Sequence, residues 1–373
     1  MQTTIPLRTP EASCQHQDRC CQKSRPAPRQ TGRALRRVTT RARVRRYLAA
    51  IEQELCTILG YHSPASTEFW QMLYYHMGWE QLDQPPAVSS KRLRPLLTVL
   101  CAAAAGGDWR LALPFAASVE LLHNFSLVHD DIQDISALRR GRAAVWAKWG
   151  EAQAINAGDA LFTYAHLAVH RAGRLPPAMR LTALALLDQT CIALSIGQHL
   201  DMAFAARPTV TVAEYIQMID GKTACLLATA AEFGALSAGA TEDVCRHYRA
   251  FARHLGLMFQ IRDDVLGIWG AQEATGKPVA ADLIQRKKTL PVIYGLQHSA
   301  AFRQAFQVAS GNPVDVATLT QLLDASGAQR YAEMAVQRHA ALALQHLVAA
   351  QPQPDKAGEM LRHVTYTLIE RAQ

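Results

Sequence analysis

Three aspartates, Asp130, Asp131 and Asp134, stand within a short span directly after an apolar stretch of the chain. On a helix, Asp130 and Asp134 share one face, and Asp131 lies about 100° further round. Carboxylates at the end of a buried stretch need a counter-ion, and such oxygen ligands suit Mg²⁺, which completes its shell with water and substrate phosphates. The spacing therefore predicts a magnesium site for a phosphorylated substrate. Three aspartates on a solvated helix face are the alternative interpretation.

A second acidic pair, Asp263 and Asp264, ends another apolar helical stretch much later in the chain. Basic side chains occur at separate places around the two acidic stretches: Lys91, Arg94, Arg139, Arg140, Lys222 and Lys277. Arginine gives planar, bidentate contacts to phosphate and lysine gives a compact charge, while aspartates hold metal on the other side of the same anion. The combination predicts a site for two diphosphates.

These motifs resemble, in order and spacing, those of trans-isoprenyl diphosphate synthases of the polyprenyl synthetase family. The similarity extends from Tyr47 to near the C-terminus, through the two acidic stretches and the segments 90–95, 138–141, 156–159, 222–223 and 287–291. The resemblance implies an all-α isoprenoid synthase fold, with a single large helical bundle around a central active-site cavity. It also implies a homodimer and three Mg²⁺ ions in each active site.

The resemblance further implies a role for each site residue. The metal ligands would be Asp130, Asp131, Asp134 and Asp263, with Asp264 in support. The allylic diphosphate would be contacted by Arg139, Lys222, Thr223, Gln260 and Lys277. The diphosphate of isopentenyl diphosphate would be held by Lys91, Arg94, His123 and Arg140. The implied reaction is a head-to-tail condensation that gives a short trans-prenyl diphosphate.

This chemistry explains why cations and metal ligands are needed. Metal ions and basic groups stabilise the charge that develops on the diphosphate as the allylic carbon–oxygen bond ionises. The resulting carbocation is captured by the double bond of isopentenyl diphosphate, so positioning matters as much as charge. No protein nucleophile is required, and no Ser-His-Asp or Cys-His arrangement stands out in the sequence.

The chain departs from the family pattern at three places. Ser90 stands where glycine is usual, which removes the backbone freedom of glycine at that position. Gly267 replaces the third aspartate of the second motif, so metal binding there depends on Asp263 and Asp264. After Gly141, the usual Pro-Thr is replaced by two alanines, which leaves the conformation of this turn open.

Product length depends on how deep the cavity is, and Phe125 is the predicted floor. It precedes Asp130 by five residues, so it lies little more than about one helical turn deeper. In this family an aromatic residue at that position generally stops the product at fifteen or twenty carbons, and Ser126 beside it adds little obstruction. Farnesyl and geranylgeranyl diphosphate both remain open as products. The alternative interpretation is that Phe125 is a packed core aromatic.

Apolar residues recur at three-and-four spacing in the segments 112–128, 153–170, 179–200 and 223–239, whereas alternating strand patterns are scarce. This periodicity predicts an all-α protein. No repeat of fixed period is evident, so a helical solenoid is disfavoured. Breaks between helices are predicted at Gly106-Gly107, Pro176-Pro177 and Arg207-Pro208.

The N-terminal residues 1–46 differ from the rest of the chain. They hold twelve Lys and Arg residues against Glu11 and Asp18, a balance of +10, so residues 47–373 carry −2 of the formal net charge of +8. We predict a disordered basic extension over 1–46 and a catalytic domain over 47–373. Organelle targeting, an anionic surface and nucleic acid are alternative roles for this extension, and we expect no nucleic-acid partner.

The eight cysteines are spread along the chain and do not provide the paired close spacings with four ligands that a zinc site needs. They predict free thiols and a cytoplasmic location. The longest run without Asp, Glu, Lys, Arg or His, Pro95–Gly107, is too short to span a bilayer, so we expect at most peripheral membrane contact.

Three other classes of protein compete with this interpretation. A di-iron bundle would use Glu-x-x-His pairs, but it needs two, and only Glu120 with His123 provides one beside the acidic stretch. A class I terpene cyclase would share the fold and the first acidic motif, but the Asn-Asp-x-x-Ser-x-x-x-Glu arrangement is absent. A non-catalytic regulatory homologue would be expected to have lost its aspartates. His129 is predicted to be a packed histidine or a support for the metal ligands.

Overall fold

A computed structural model of the chain describes residues 29–60, 67–79, 92–270, 280–308 and 315–371. Nearly all of these residues are helical, which confirms the all-α prediction. The chain divides into two compact units, residues 1–42 and 43–373.

The helices of the described residues are α1 (Arg29–Ile58), α2 (Thr67–Met77), α3 (Leu93–Ala104), α4 (Leu113–Gln133), α5 (Val145–Trp149), α6 (Glu151–His170), α7 (Pro177–Ala206), α8 (Val212–Ile219), α9 (Cys225–Ser237), α10 (Glu242–Trp269), α11 (Ala281–Ile284), α12 (Leu290–His298), α13 (Ala300–Val308), α14 (Val316–Ser326), α15 (Ala328–Ala349) and α16 (Lys356–Arg371). A 3₁₀ turn spans Trp109–Ala112, and a π turn spans Asp220–Ala224. Two short antiparallel strands, β1 (Leu138–Arg139) and β2 (Arg142–Ala143), form a hairpin in which Leu138 pairs with Ala143.

The four segments with strong helical periodicity lie mostly within α4, α6, α7 and α9, as predicted. Their apolar faces form one main core, and a smaller core lies between the end of α10 and helices α11 to α15. Helix α4 packs against α6, α3 against α9, and α10 against α15. The predicted breaks are also confirmed, because each falls between two helices or at the first residue of one.

Within the basic extension predicted over residues 1–46, α1 begins at Arg29, and the disorder of this extension stays a prediction. Alanine and arginine are good helix formers, so a basic sequence of this composition can be helical. Within α1, Tyr47 and Ile51 are buried in the main core. The remainder of the predicted extension, residues 1–28, lies outside the described residues.

A buried ion-pair network joins α1, the start of α3 and α4. The guanidinium of Arg92 donates to Oε1 of Glu52 at 2.8 Å and to Oε1 of Glu120 at 2.7 Å, and it also reaches the carbonyl oxygen of Met77 at 3.1 Å. The indole of Trp79 donates to the same oxygen of Glu52. Arg92, Glu52 and Glu120 are all at most 3% exposed. Because Glu120 pairs with Arg92, it is not placed to bind iron together with His123, which argues against the di-iron interpretation.

Two helical stretches are long and apolar enough to cross a membrane by length and composition alone: Trp109–Gln133 and Pro177–Ala206. The first is 61% buried within the protein and the second 22% buried. Our estimate from uncharged runs missed both stretches, because a few charged residues interrupt them. A buried core helix meets the same criteria, and many residues of α4 are buried in the main core.

Candidate functional site

The first acidic stretch lies at the end of α4. Asp131 is 1% exposed, whereas the side chain of Asp130 is 20% exposed and Asp134, the residue directly after the helix, is exposed. The amide of Asp134 still donates to the carbonyl oxygen of Asp130 at 2.8 Å, so the chain continues the helical turn up to that point. The helix thus presents Asp130 and Asp134 outward and Asp131 inward.

The β-hairpin places two arginines beside these carboxylates. Arg139 donates through Nε to Oδ1 of Asp131 at 2.8 Å and through Nη2 to Oδ2 of Asp130 at 3.5 Å. The turn itself is made by Arg140 and Gly141, both with positive φ, which is typical of a two-residue hairpin turn that matches the strand twist. The alanines after Gly141 therefore do not prevent the turn. Arg140 is exposed at its tip.

Lys222 approaches the same carboxylates from the π turn between α8 and α9. Its ammonium donates to Oδ1 of Asp130 at 3.3 Å and to Oδ2 of Asp201 at 2.5 Å. Burial alone would lower the pKa of Lys222, but the carboxylates of Asp201 and Asp130 more than offset this and raise it. The lysine is therefore a permanent cation at the site.

Gly197 of α7 allows this close approach. A Cβ atom at this position would lie 2.2 Å from the backbone nitrogen of Lys222 and 2.5 Å from the carbonyl carbon of Gly221. Backbone atoms cannot move aside as a flexible side chain can, so the crossing of α7 and the π turn depends on glycine.

We expect Gly197→Ala to move Lys222 away from Asp130. The turnover of the condensation that the family resemblance implies should then fall by up to about 100-fold, because catalysis is sensitive to displacements near 1 Å. Steady-state kinetics of the purified variant would measure this. The matched control is Gly173→Ala, since a Cβ there would be 3.9 Å from its nearest neighbour. Equal activity of the two variants would show that the crossing does not position the lysine.

The second acidic pair lies near the end of α10, and its two members face different surroundings. Asp263 is exposed, whereas Asp264 is 4% exposed. Asp264 accepts from the hydroxyl of Tyr215 at 2.6 Å, from the amide of Gln260 at 3.1 Å and from the backbone nitrogen of Leu290 at 3.3 Å. Burial raises the pKa of Asp264 to about 6, although the hydrogen bonds from Tyr215 and Gln260 and the charge of Lys287 lower it. The geometry favours Asp263 over Asp264 as a metal ligand.

Gln260 links the two halves of the site. Oε1 of its side-chain amide accepts from the hydroxyl of Thr223 at 2.8 Å, and Nε2 of the same amide donates to Asp264. Thr223 follows Lys222 in the π turn, so the predicted neighbours Lys222, Thr223 and Gln260 are brought together as expected. They line one pocket with Asp201, Asp264 and Lys287.

A second basic group lies on α3 and α4. Nη1 of Arg94 lies 3.1 Å from Nε2 of His123. Burial, together with the charges of Arg94 and Arg140, holds the pKa of His123 well below its ordinary value, so its ring is neutral near pH 7. The Nε atom of Arg94 is buried without a hydrogen-bond partner in the described residues. This orphan donor suits an anion that the pair would bind.

The carboxylates of the first acidic stretch also fit a bound cation. Oδ2 of Asp131 is buried without a hydrogen-bond partner in the described part of the chain. Burial raises the pKa of Asp131 and Asp134, and the negative charge of Asp130 raises both further. In the same residue ranges, no three His, Cys, Asp or Glu side chains are arranged to hold a metal ion by themselves. Carboxylate oxygens are ligands that suit Mg²⁺, which takes much of its shell from water and phosphate.

Several predicted residues cannot be placed, and several contributors were missed. Lys91, Lys277 and Ser90 lie outside the described residues. Sequence reasoning gave no role to Asp201, Tyr215 or Lys287. Asp201 and Tyr215 have no local pattern that marks them, whereas Lys287 lies in a segment that carried the family resemblance.

The fold and the site together define an all-α protein with two acidic stretches and facing cations, and comparison with known proteins identifies its family. Residues 80–325 match the polyprenyl synthetase family model. The chain belongs to the polyprenyl synthetase family, whose members generally use Mg²⁺.

Individual relatives agree with this assignment. The chain is 40% identical over 309 residues to a (2E,6E)-farnesyl diphosphate synthase of Mycobacterium tuberculosis, covering 80% of this chain and 84% of that protein. It is 40% identical over 277 residues to a geranylgeranyl diphosphate synthase of the same organism, covering 71% of this chain and 79% of that protein. It also resembles the crystal structure of geranylgeranyl pyrophosphate synthetase from Pyrococcus horikoshii, with a TM-score of 0.80, 31% identity, and coverage of 89% of this chain and 98% of that one.

Proposed function

We propose that the protein is a prenyltransferase that condenses isopentenyl diphosphate head-to-tail with an allylic diphosphate, giving a short-chain trans-prenyl diphosphate. The observation that carries this proposal is the position of Lys222, whose ammonium lies between Asp130 and Asp201. A lysine and an arginine pair with the same acidic stretch. The carboxylates can hold the metal ions, and the two basic side chains can contact the diphosphate that the metal binds. The curated relatives named above support the same reaction class.

In this proposal the carboxylates of Asp130, Asp131, Asp134 and Asp263 would hold Mg²⁺, with three ions in each active site. When bound, the metal would neutralise charge on the allylic diphosphate as it leaves. Lys222 and Arg139, which now pair with Asp130 and Asp131, would donate to that diphosphate, together with Thr223, Gln260 and Lys277. Charge-assisted hydrogen bonds of this kind strengthen as the negative charge grows.

Isopentenyl diphosphate would bind on the other basic group. Arg94 and the neutral ring of His123 would orient its diphosphate, with Lys91 and Arg140 contributing further positive charge. Arg94 has a donor to spare, because its Nε atom has no partner within the described residues. Holding the two substrates in a fixed relation is the main contribution that these residues would make.

The direct test is incubation with Mg²⁺, isopentenyl diphosphate and, in separate reactions, dimethylallyl, geranyl or farnesyl diphosphate, followed by chromatographic sizing of the dephosphorylated prenols. We expect condensation products of fifteen or twenty carbons. A cyclised hydrocarbon from the allylic substrate alone would identify a terpene cyclase instead. No turnover with any primer would identify a non-catalytic homologue.

Product length would be set by Phe125, which is half-buried on α4. Its ring packs against that of Phe162 with centroids 5.1 Å apart and against His129 at 4.8 Å. These neighbours hold the ring in place, and His129 is a packed histidine in the described structure.

We expect Phe125→Ala to lengthen the product by one or more isoprene units, because removal of the ring deepens the cavity. The measurement is the distribution of prenol lengths at a fixed ratio of substrates. Phe115→Ala is the control for lost core packing, since Phe115 is fully buried on the same helix. An unchanged product from Phe125→Ala would show that another side chain forms the floor.

We further propose that the enzyme is a homodimer that uses an apolar strip on α6 and α7. Large apolar side chains on these helices are between 41% and 67% exposed: Ile155, Leu167, Leu181, Ile192, Ile196 and Met202. Exposed contiguous apolar surface marks interaction sites, and two identical strips can cover each other about a two-fold axis. Sedimentation equilibrium would test this, since a monomer at micromolar concentration would contradict the proposal.

The catalytic domain boundary at residue 47 and a cytoplasmic location also stay proposals. The second is supported by the cysteines of the described residues, Cys56, Cys101, Cys191, Cys225 and Cys245, which are all free thiols.

A further inference from the structure

Four histidines form a ladder between α10 and α15, away from the acidic stretches. His247 and His254 lie two helical turns apart on α10, and His339 and His346 have the same separation on α15. The two helices pack side by side in opposite directions along this seam, so His247 faces His346 and His254 faces His339. None of these side chains takes part in the proposed reaction.

Each pair brings two ring nitrogens together. The Nδ1 atoms of His247 and His346 are 3.1 Å apart, and those of His254 and His339 are 3.0 Å apart. The rings of His254 and His346 are stacked with centroids 5.7 Å apart, which connects the two pairs. Two nitrogens at such a distance share either one proton or one metal ion.

The distances suit a transition metal. Two imidazole nitrogens bound at about 2.0–2.1 Å are separated by about 2.9 Å when the angle at the metal is near 90°, as in tetragonal Cu²⁺ sites, and by about 3.3 Å at a tetrahedral Zn²⁺ ion. The side chains remain half-buried, so an ion and its waters can reach them. Seven residues of helix separate the backbone positions of the two pairs by about 10 Å, while the rings of His254 and His346, one from each pair, have centroids 5.7 Å apart.

The charge state of the rings favours metal binding as well. Burial lowers the pKa of His254 to about 4, and the neighbouring His339, Arg253 and His346 contribute to the shift. Burial also lowers the pKa of His339 and His346. The neutral ring is the form of histidine that binds metal.

We propose that each histidine pair binds one divalent late transition-metal ion, of the class of Cu²⁺ or Zn²⁺, through its two Nδ1 atoms. Imidazole suits these ions, whereas Mg²⁺ prefers oxygen ligands. Water completes the shell, and the carboxylate of Asp243 lies 3.9 Å from Nε2 of His247, where it can orient that ring. The bound ions fasten α15 to the helix that carries the second acidic pair.

The test is titration of the full chain, without a histidine tag and in the presence of Mg²⁺, with Cu²⁺. Electron paramagnetic resonance reports nitrogen ligands through superhyperfine splitting. We expect two copper ions with nitrogen coupling in each chain. The double variants H247Q/H346Q and H254Q/H339Q should each retain one.

The control is His170→Gln, which removes an exposed histidine at the end of α6 and should retain both copper sites. As a second measurement, Zn²⁺ should raise the midpoint of thermal unfolding of the wild type more than that of either double variant. Should a double variant fail to fold by circular dichroism, His339→Gln and His346→Gln would be tested singly. Unchanged nitrogen-coupled copper in folded variants of both pairs would overturn the proposal and leave the pairs as N–H···N hydrogen bonds.

Discussion

Replacing Asp130 by asparagine is expected to lower the turnover of the proposed condensation by at least about 10²-fold while the helical fold is retained. Asparagine keeps the size of the side chain but removes its charge. Asp130 is the carboxylate that both Lys222 and Arg139 contact, so its loss removes one predicted Mg²⁺ ligand and disturbs two cations at once. The measurement is the rate of prenol formation under saturating substrates.

Asp243→Asn is the matched control, because Asp243 is 69% exposed at the opposite end of α10 from the second acidic pair. It should keep nearly full activity. Circular dichroism and thermal unfolding of both variants would confirm that the fold is intact. Wild-type turnover for Asp130→Asn would contradict the assignment of this residue to the metal site.

Replacing Arg92 by methionine is expected to lower the free energy of unfolding by about 3–5 kcal/mol. The substitution leaves the carboxylates of Glu52 and Glu120 buried without their cation, and an unpaired buried charge is strongly destabilising. Burial alone would lower the pKa of Arg92, but Glu120 and Glu52 raise it, so the wild-type arginine stays charged. Urea unfolding followed by circular dichroism would measure the change.

Two comparisons separate this effect from lost packing. Arg246→Met breaks a pair that is 66% and 69% exposed, and such exposed pairs contribute at most about 1 kcal/mol. Arg92→Met in a background of Glu52→Gln and Glu120→Gln should cost much less than in the wild type, because no charge is then left unpaired. An equal cost in both backgrounds would contradict the electrostatic explanation.

The fold class and the first acidic stretch were predictable because both depend on residues that are close together in the sequence. Apolar residues at helical spacing specify α4, and the aspartates at its end follow within one or two turns. Arg92 shows where such reasoning stops. It lies between two predicted diphosphate contacts, Lys91 and Arg94, and nothing in the local pattern says that its side chain turns inward to Glu52 and Glu120. Only the packing of three helices decides this.

The same limit applies to the partners of Lys222. The motif around the lysine was recognisable, but Asp201 lies on another helix and became part of the site only through the close crossing at Gly197. Likewise, Asp264 was expected to support metal binding, whereas Tyr215 donates to its Oδ2 and Gln260 to its Oδ1. Contacts between distant segments depend on tertiary geometry, which a single sequence does not display.

Helix α8, the π turn at Asp220–Ala224 and α9 follow one another without a break from Val212 to Ser237. The π turn therefore determines the directions in which the side chains of α9 point relative to those of α8. It holds one more residue than an α turn, and one residue rotates a helix by about 100°. Side chains of α9 therefore point in a different direction from the one that the periodicity of α8 would give. This rotation lets α9 pack against α3 and α4 while α8 packs against α12. The number of residues in the turn, as much as their identity, thus aligns the lysine with the acidic stretch.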